Sequence, residues 1–112
     1  MITDADRSQL LTNGHKSQHD PNFDPPPVIR LFMPDGPGTC LLSELDPTEP
    51  DRAFGLCDIG HGCPELGYVL ISELHAIRGR LRLPIERDAH FTPDRPLSQY
   101  AREARAAGRI TT

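Results

Sequence analysis

Apolar and polar positions alternate along residues 28–33, where Ile29, Leu31 and Met33 fall on one side of an extended chain and Arg30 on the other. That period of two marks a half-buried strand. Pro34-Asp35-Gly36-Pro37-Gly38 is strong turn chemistry, so residues 39–45 should return as the second strand of a hairpin. Asp46-Pro47-Thr48-Glu49-Pro50-Asp51 predicts a second turn, because its acids and prolines do not suit a sheet interior. Residues 53–59 read as a third strand, broken at Gly60-His61-Gly62-Cys63-Pro64, and residues 66–71 as a fourth, apolar enough to be central. Residues 83–91 read as the last strand.

Helical signals lie at the ends and at one point between. Thr3 can cap a helix that starts at Asp4, with Asp4 and Asp6 at its positive end. Asn13-Gly14 is its expected stop. Residues 15–27, HKSQHDPNFDPPP, have almost no apolar content, and Pro25-Pro26-Pro27 should be stiff polyproline II. Ser72 can cap a short helix over residues 73–77, closed by Gly79. Residues 96–107 hold the best helix, with Pro96 in the first turn and Gly108 just past the end. Leu97, Tyr100, Ala101 and Ala104 share one of its faces and should lie on the sheet. The expected partner face is that of Ala53, Gly55, Cys57 and Ile59, small and apolar throughout, while Asp58 draws the Phe54 and Leu56 face toward solvent.

These elements add up to an α+β fold: a small, mostly antiparallel sheet of four to five strands with an N-terminal helix, a short middle helix and a C-terminal helix packed on the sheet. The expected division is residues 1–14 as N-terminal helix, 15–27 as polar Pro-rich linker and 28–112 as a single α+β domain. A chain of 112 residues supports one modest core. No apolar run approaches the ~20 residues that a membrane span needs, and the first residues do not resemble a signal peptide. Three cysteines are an odd number and too few for a disulfide scaffold, so reduced thiols in a cytoplasm are expected.

Charge is unevenly spread. Residues 1–75 hold twelve acids against four bases, a net of -8, and residues 76–112 hold four acids against eight arginines, a net of +4. An acidic protein repels phosphates at long range, which disfavours duplex DNA. It suits docking on an oppositely charged protein, and Glu44, Asp46, Glu49 and Asp51 are the candidate contact residues.

The candidate chemistry is weaker. Cys57, His61 and Cys63, with Cys40 earlier, are zinc-type ligands, but their C-x3-H-x-C spacing lacks a paired C-x2-C knuckle. His15 and His19 would share a helical face, in a segment read here as a loop. A Cys57–His61 nucleophile pair has Asp58 beside it, which opposes a lowered thiol pKa. Glu86, Asp88 and His90 would project from one face of a strand, where they could do acid–base work or hold a divalent ion. A solvated sheet face produces the same alternation. Arg102, Arg105 and Arg109, preceded by Arg78, Arg80 and Arg82, could meet phosphates, with Tyr100 as the lone aromatic on that helix. No Gly-rich stretch matches a phosphate loop or a dinucleotide fingerprint. No catalytic residue, cofactor or metal is therefore assigned.

Several ordered stretches carry a resemblance: Pro27-Val28-Ile29-Arg30-Leu31-Phe32, Thr39-Cys40-Leu41-Leu42-Ser43-Glu44-Leu45-Asp46-Pro47, Phe54-Gly55-Leu56-Cys57-Asp58-Ile59-Gly60, Pro64-Glu65-Leu66-Gly67-Tyr68-Val69, Glu86-Arg87-Asp88 and Leu97-Ser98-Gln99-Tyr100-Ala101. The chain resembles a family of small uncharacterised proteins encoded on bacterial conjugative plasmids and integrative elements. In that family an aromatic residue is usual at the place of Cys40 and apolar ones at His61 and Cys63, which weakens the zinc reading further. The resemblance implies a setting and no mechanism. The expectation is a non-enzymatic accessory protein that binds a protein partner with a basic surface, in the manner of a counter-defence (anti-CRISPR-like) inhibitor. A small hydrolase using Glu86, Asp88 and His90, or a DNA-processing factor using the Arg-rich end, is the alternative.

Overall fold

The computed structural model describes all 112 residues. Strand β1 (Ile29–Phe32) pairs with β2 (Thr39–Asp46), β2 with β3 (Glu49–Asp58), and β3 with β4 (Glu65–Leu70), all antiparallel. A two-residue strand, β5 (Glu86–Arg87), closes the far side in the order β4-β3-β2-β1-β5. The fold is thus α+β, with an N-terminal helix and with middle and C-terminal helices packed on an antiparallel sheet. Strand β4, expected at the centre, is an edge. Its apolar Leu66 and Tyr68 are exposed for that reason.

Both faces of the sheet are covered, by different helices. Helix α1 (Asp4–His19) and helix α2 (Ile71–Ala76) bury Leu10 and Leu74 with Ile29, Leu31, Cys40, Leu42, Leu45 and Ala53. Helix α3 (Leu97–Ala107) buries Leu97, Tyr100, Ala101 and Ala104 against Leu41 and Leu56. Ala53 and Cys57 do share a face, but α1 and α2 cover it; α3 lies on the Leu56 face. Asp58 does not draw that face to solvent. It is buried because its Oδ1 accepts from the backbone N–H groups of Gly60 (2.9 Å) and His61 (3.0 Å), satisfying the carboxylate locally.

Strand β2 changes phase at a bulge. Leu42 opposes Gly55 and Glu44 opposes Phe54, leaving Ser43 between them. The extra residue lets Leu45 rejoin Leu42 in the α1 core. Gly55 is required there, since a Cβ would meet the Leu41 carbonyl oxygen at 2.1 Å. The bulge carbonyl of Ser43 accepts from Asn13 Nδ2 of α1 at 2.9 Å, so no buried acceptor is stranded.

Asn13 therefore faces the sheet, and the expected helix stop at Asn13-Gly14 does not occur. Helix α1 continues to His19, carrying residues 15–19 of the expected linker with it. Gly14 is a packing residue: a Cβ would lie 1.9 Å from the Leu45 carbonyl oxygen. The start of α1 follows the sequence signals, because Thr3 and Asp6 form a reciprocal capping box.

The Pro-rich stretch that follows is bonded to α3. The Leu97 N–H donates to the Pro25 carbonyl at 3.0 Å, and the Asp24 carboxylate accepts from the Ser98 N–H (3.1 Å) and hydroxyl. Pro96, at the cap of α3, offers no side-chain acceptor, so Asp24 supplies one. Helix α2 is capped in the same borrowed way. Its cap position is Leu70 rather than Ser72, and the Ser72 N–H and hydroxyl both donate to Asp51 of β3, at 2.9 and 2.6 Å.

Two further expectations change. The turn after β2 is only Pro47-Thr48, and β3 begins at Glu49. Pro50 is tolerated because it sits in a register shift between the Asp46–Glu49 and Leu45–Ala53 pairs, where no ladder donor is needed. Cys40 and Cys57 are not free thiols. They stand directly opposite in the β2–β3 register, Cα atoms 4.2 Å apart, and form a disulfide. A bridge across 17 residues lowers unfolded-state entropy by at most about 3 kcal/mol. Strands β2 and β3 form a local hairpin that can persist in the denatured chain, so reduction should cost about 2 kcal/mol. Urea unfolding with and without dithiothreitol measures it.

Candidate protein-binding site

The β2–β3 hairpin tip gathers the four acidic candidates from within one short stretch of chain. Asp46 closes the turn, its Oδ1 accepting from the Thr48 N–H at 2.9 Å and the Thr48 hydroxyl at 2.8 Å. Those two hydrogen bonds, then Arg52 at 3.8 Å, hold the Asp46 carboxyl below the usual carboxylate range. Asp51 is committed to the α2 cap. Glu49 is exposed and has no side-chain partner. Glu44 is half-buried, and burial pushes its carboxyl up, with Ser17 opposing and Asp46 reinforcing the shift. The four sit together at one end of the sheet, but only Glu49 is wholly free to bond a partner.

Beside them lies a groove of about 240 Å³ lined by Gly14, Ser17, Gln18, Glu44, Asp46 and Tyr68, among others. Tyr68 is 56% exposed, stacked edge-on to Phe54 at 5.2 Å, with the Arg52 guanidinium 3.8 Å above its ring. Sequence reading missed Tyr68, Ser17 and Gln18 as neighbours of this site. It placed Tyr68 in a central strand and Ser17 and Gln18 in a linker; only the edge position of β4 and the length of α1 bring them here.

The raised Glu44 carboxyl has a testable sign. Its folded pKa lies above the unfolded one, so ionising it works against folding, and stability falls as pH rises through the folded value. Glu44→Gln is therefore expected to be more stable than wild type at pH 7 and to lose that advantage in acid. Urea midpoints measured from pH 3 to pH 8 check this.

The other candidate constellations do not assemble. Glu86, Asp88 and His90 are not on one strand face, because β5 ends at Arg87 and the chain then turns. Asp88 bonds Arg30 at 3.2 Å and the His90 N–H at 2.9 Å, while Glu86 and His90 are exposed. The short pairing has a cause: β1 spans four residues and offers β5 only Leu31 and Phe32. Cys57, His61 and Cys63 line one cavity of about 340 Å³, but Cys57 is spent in the disulfide and Cys63 is exposed. His15 and His19 lie on helix rather than loop, both exposed. No three His, Cys, Asp or Glu side chains are placed to hold a metal ion. Arg102, Arg105 and Arg109 are exposed on or just past α3, and Arg78, Arg80 and Arg82 are exposed beyond α2. No helix is long and apolar enough to cross a membrane.

One family model, described as a protein of unknown function (DUF2958), matches residues 1–111. The chain belongs to the DUF2958 family. The match includes α1 and the Pro-rich stretch, as expected when Gly14, Asn13 and Asp24 tie both to the rest of the DUF2958 fold. No curated protein and no solved structure matches the chain.

Proposed function

We propose that this DUF2958 protein is a non-enzymatic binding module whose acidic hairpin tip, Glu44, Asp46, Glu49 and Asp51, docks on a protein partner with a basic surface. The observation that supports this reading is the concentration of those carboxylates at one end of the sheet, beside an exposed Tyr68. An aromatic anchor next to like charges suits a partner that brings arginine or lysine. The weak assembly of Glu86, Asp88 and His90 turns the choice away from a hydrolase.

The setting we propose is the bacterial cytoplasm, with the gene on a conjugative plasmid or integrative element and the partner a host-defence complex whose basic groove the protein occupies. Resemblance and small size support it. The Cys40–Cys57 bridge lies within one hairpin, and the two cores on either face of the sheet are built without that bond.

Affinity capture from a bacterial lysate, with salt elution, tests the reading. A basic protein should elute as salt rises, and Glu49→Lys should reduce its recovery at least tenfold. Equal recovery by wild type and Glu49→Lys would contradict the proposal.

A further inference from the structure

The opposite end of the sheet is built differently. There the chain leaves α2, turns back on itself and runs toward β5, with Arg78 and Pro84 forming an isolated antiparallel bridge. Between them the Arg82 N–H donates to the Gly79 carbonyl at 3.0 Å, closing a tight turn with Arg80 and Leu81 at its centre. The turn is clasped from below. Asp35, in the β1–β2 connection, accepts from the Leu81 N–H at 2.6 Å, and its other oxygen is buried against Gly79 without a hydrogen-bond partner. Any Cβ at Gly79 would meet that oxygen at 1.9 Å. Arg82 is the one non-glycine residue with a left-handed backbone, at φ 61°. Such strain persists only where the surroundings hold it.

What the clasp presents is basic and apolar in alternation. Arg80 and Arg82 are exposed and make no side-chain ion pair, and between them Leu81 is 73% exposed, followed by Leu83 at 41%. Solvent alone gives no reason to hold a leucine at the apex of a turn between two unpaired arginines.

We infer that the hairpin over residues 78–84 is a second docking surface, and that its partner is an acidic polypeptide segment in which carboxylates alternate with apolar side chains. Charge complementarity to Arg80 and Arg82 sets the sign, and Leu81 and Leu83 require apolar counterparts at alternate positions, as an extended segment supplies. Single-stranded nucleic acid is the poorer fit. The hairpin has no aromatic side chain on which a base could stack. Asp35 is a positioning residue: it touches no partner and fixes the turn that does. This surface is separate from the acidic tip, so either can fail without the other.

The test uses the full chain and three fluorescent probes: a 12-residue peptide alternating Glu and Leu, its Lys-for-Glu counterpart, and a 12-nucleotide oligo-dT. Anisotropy at low salt should show binding of the Glu peptide at the basic hairpin, while any binding of the Lys peptide belongs to the acidic tip and should be unchanged in R80E/R82E. Affinity should fall at least tenfold in the R80E/R82E variant and several-fold in Leu81→Ser. Asp35→Asn should weaken binding while far-ultraviolet circular dichroism stays native, because it loosens the turn and leaves Arg80 and Arg82 in place. Oligo-dT binding as tight as the Glu peptide, with the same loss in R80E/R82E, would make this a nucleic-acid face and overturn the inference. No binding of the Glu peptide, or binding indifferent to R80E/R82E, would overturn it too.

Discussion

Gly14→Ala should destabilise the protein by about 3 kcal/mol, although alanine is the better helix former by ~1 kcal/mol. The new methyl would sit 1.9 Å from the Leu45 carbonyl oxygen, so α1 has to back away from β2. Retreat breaks the 2.9 Å bond from Asn13 to the Ser43 carbonyl and strands that buried acceptor, a loss of ~1–3 kcal/mol. It also opens the contact of Leu10, fully buried, with the sheet. Urea unfolding of the two proteins measures the difference. If Gly14→Ala were as stable as wild type or more so, the glycine would be only a helix weakener and α1 would not pack as described.

The second large effect belongs to the pair of Asp6 and Arg87. Asp6 is 7% exposed, and its carboxylate accepts from Arg87 Nε at 2.5 Å and Nη2 at 3.0 Å, joining the first turn of α1 to β5. Removing one partner of a buried pair costs ~3–5 kcal/mol. The Arg87 side chain keeps 31% of its exposure and can regain some water, so Asp6→Ala should cost about 3 kcal/mol, including the lost acceptor for the Thr3 N–H. Burial pushes the Asp6 carboxyl up, but the hydrogen bonds from Arg87 and Thr3 outweigh it and leave the carboxyl below its ordinary value. With the folded pKa below the unfolded one, the stabilisation is present above about pH 4 and is lost as pH falls through the folded value. The gap between wild type and Asp6→Ala should therefore close in strong acid, opposite in sign to Glu44→Gln.

Local pattern made most of the fold legible. Ile29 and Leu31 alternate with Arg30, Pro96 and Gly108 bound α3, and Thr3 caps α1; all three signals depend on residues a few positions apart. The misreadings share one physical source, contacts between residues distant in sequence. Asn13-Gly14 has stop-signal chemistry, but its partners are Ser43 and Leu45. Ser72 looks like its own cap, but the acceptor is Asp51 on the neighbouring strand β3, 21 residues earlier. Cys40 and Cys57 look like scattered thiols until register sets them opposite each other. The acidic tip was legible as a charge run in one hairpin; which carboxylates were already engaged was not, because Asp51 answers to Ser72 and Glu44 to the far end of α1. The basic hairpin could be read as arginines, but the Asp35 clasp spans 46 residues and leaves no local trace.

Amide hydrogen exchange on the chain alone and saturated with the captured basic protein tests the proposed docking most directly. We expect added protection over residues 44–51 and in β4 around Tyr68, with residues 78–84 unchanged. Protection confined to residues 78–84, or none at the hairpin tip under conditions where the complex is intact, would contradict the assignment of the acidic end as the binding surface.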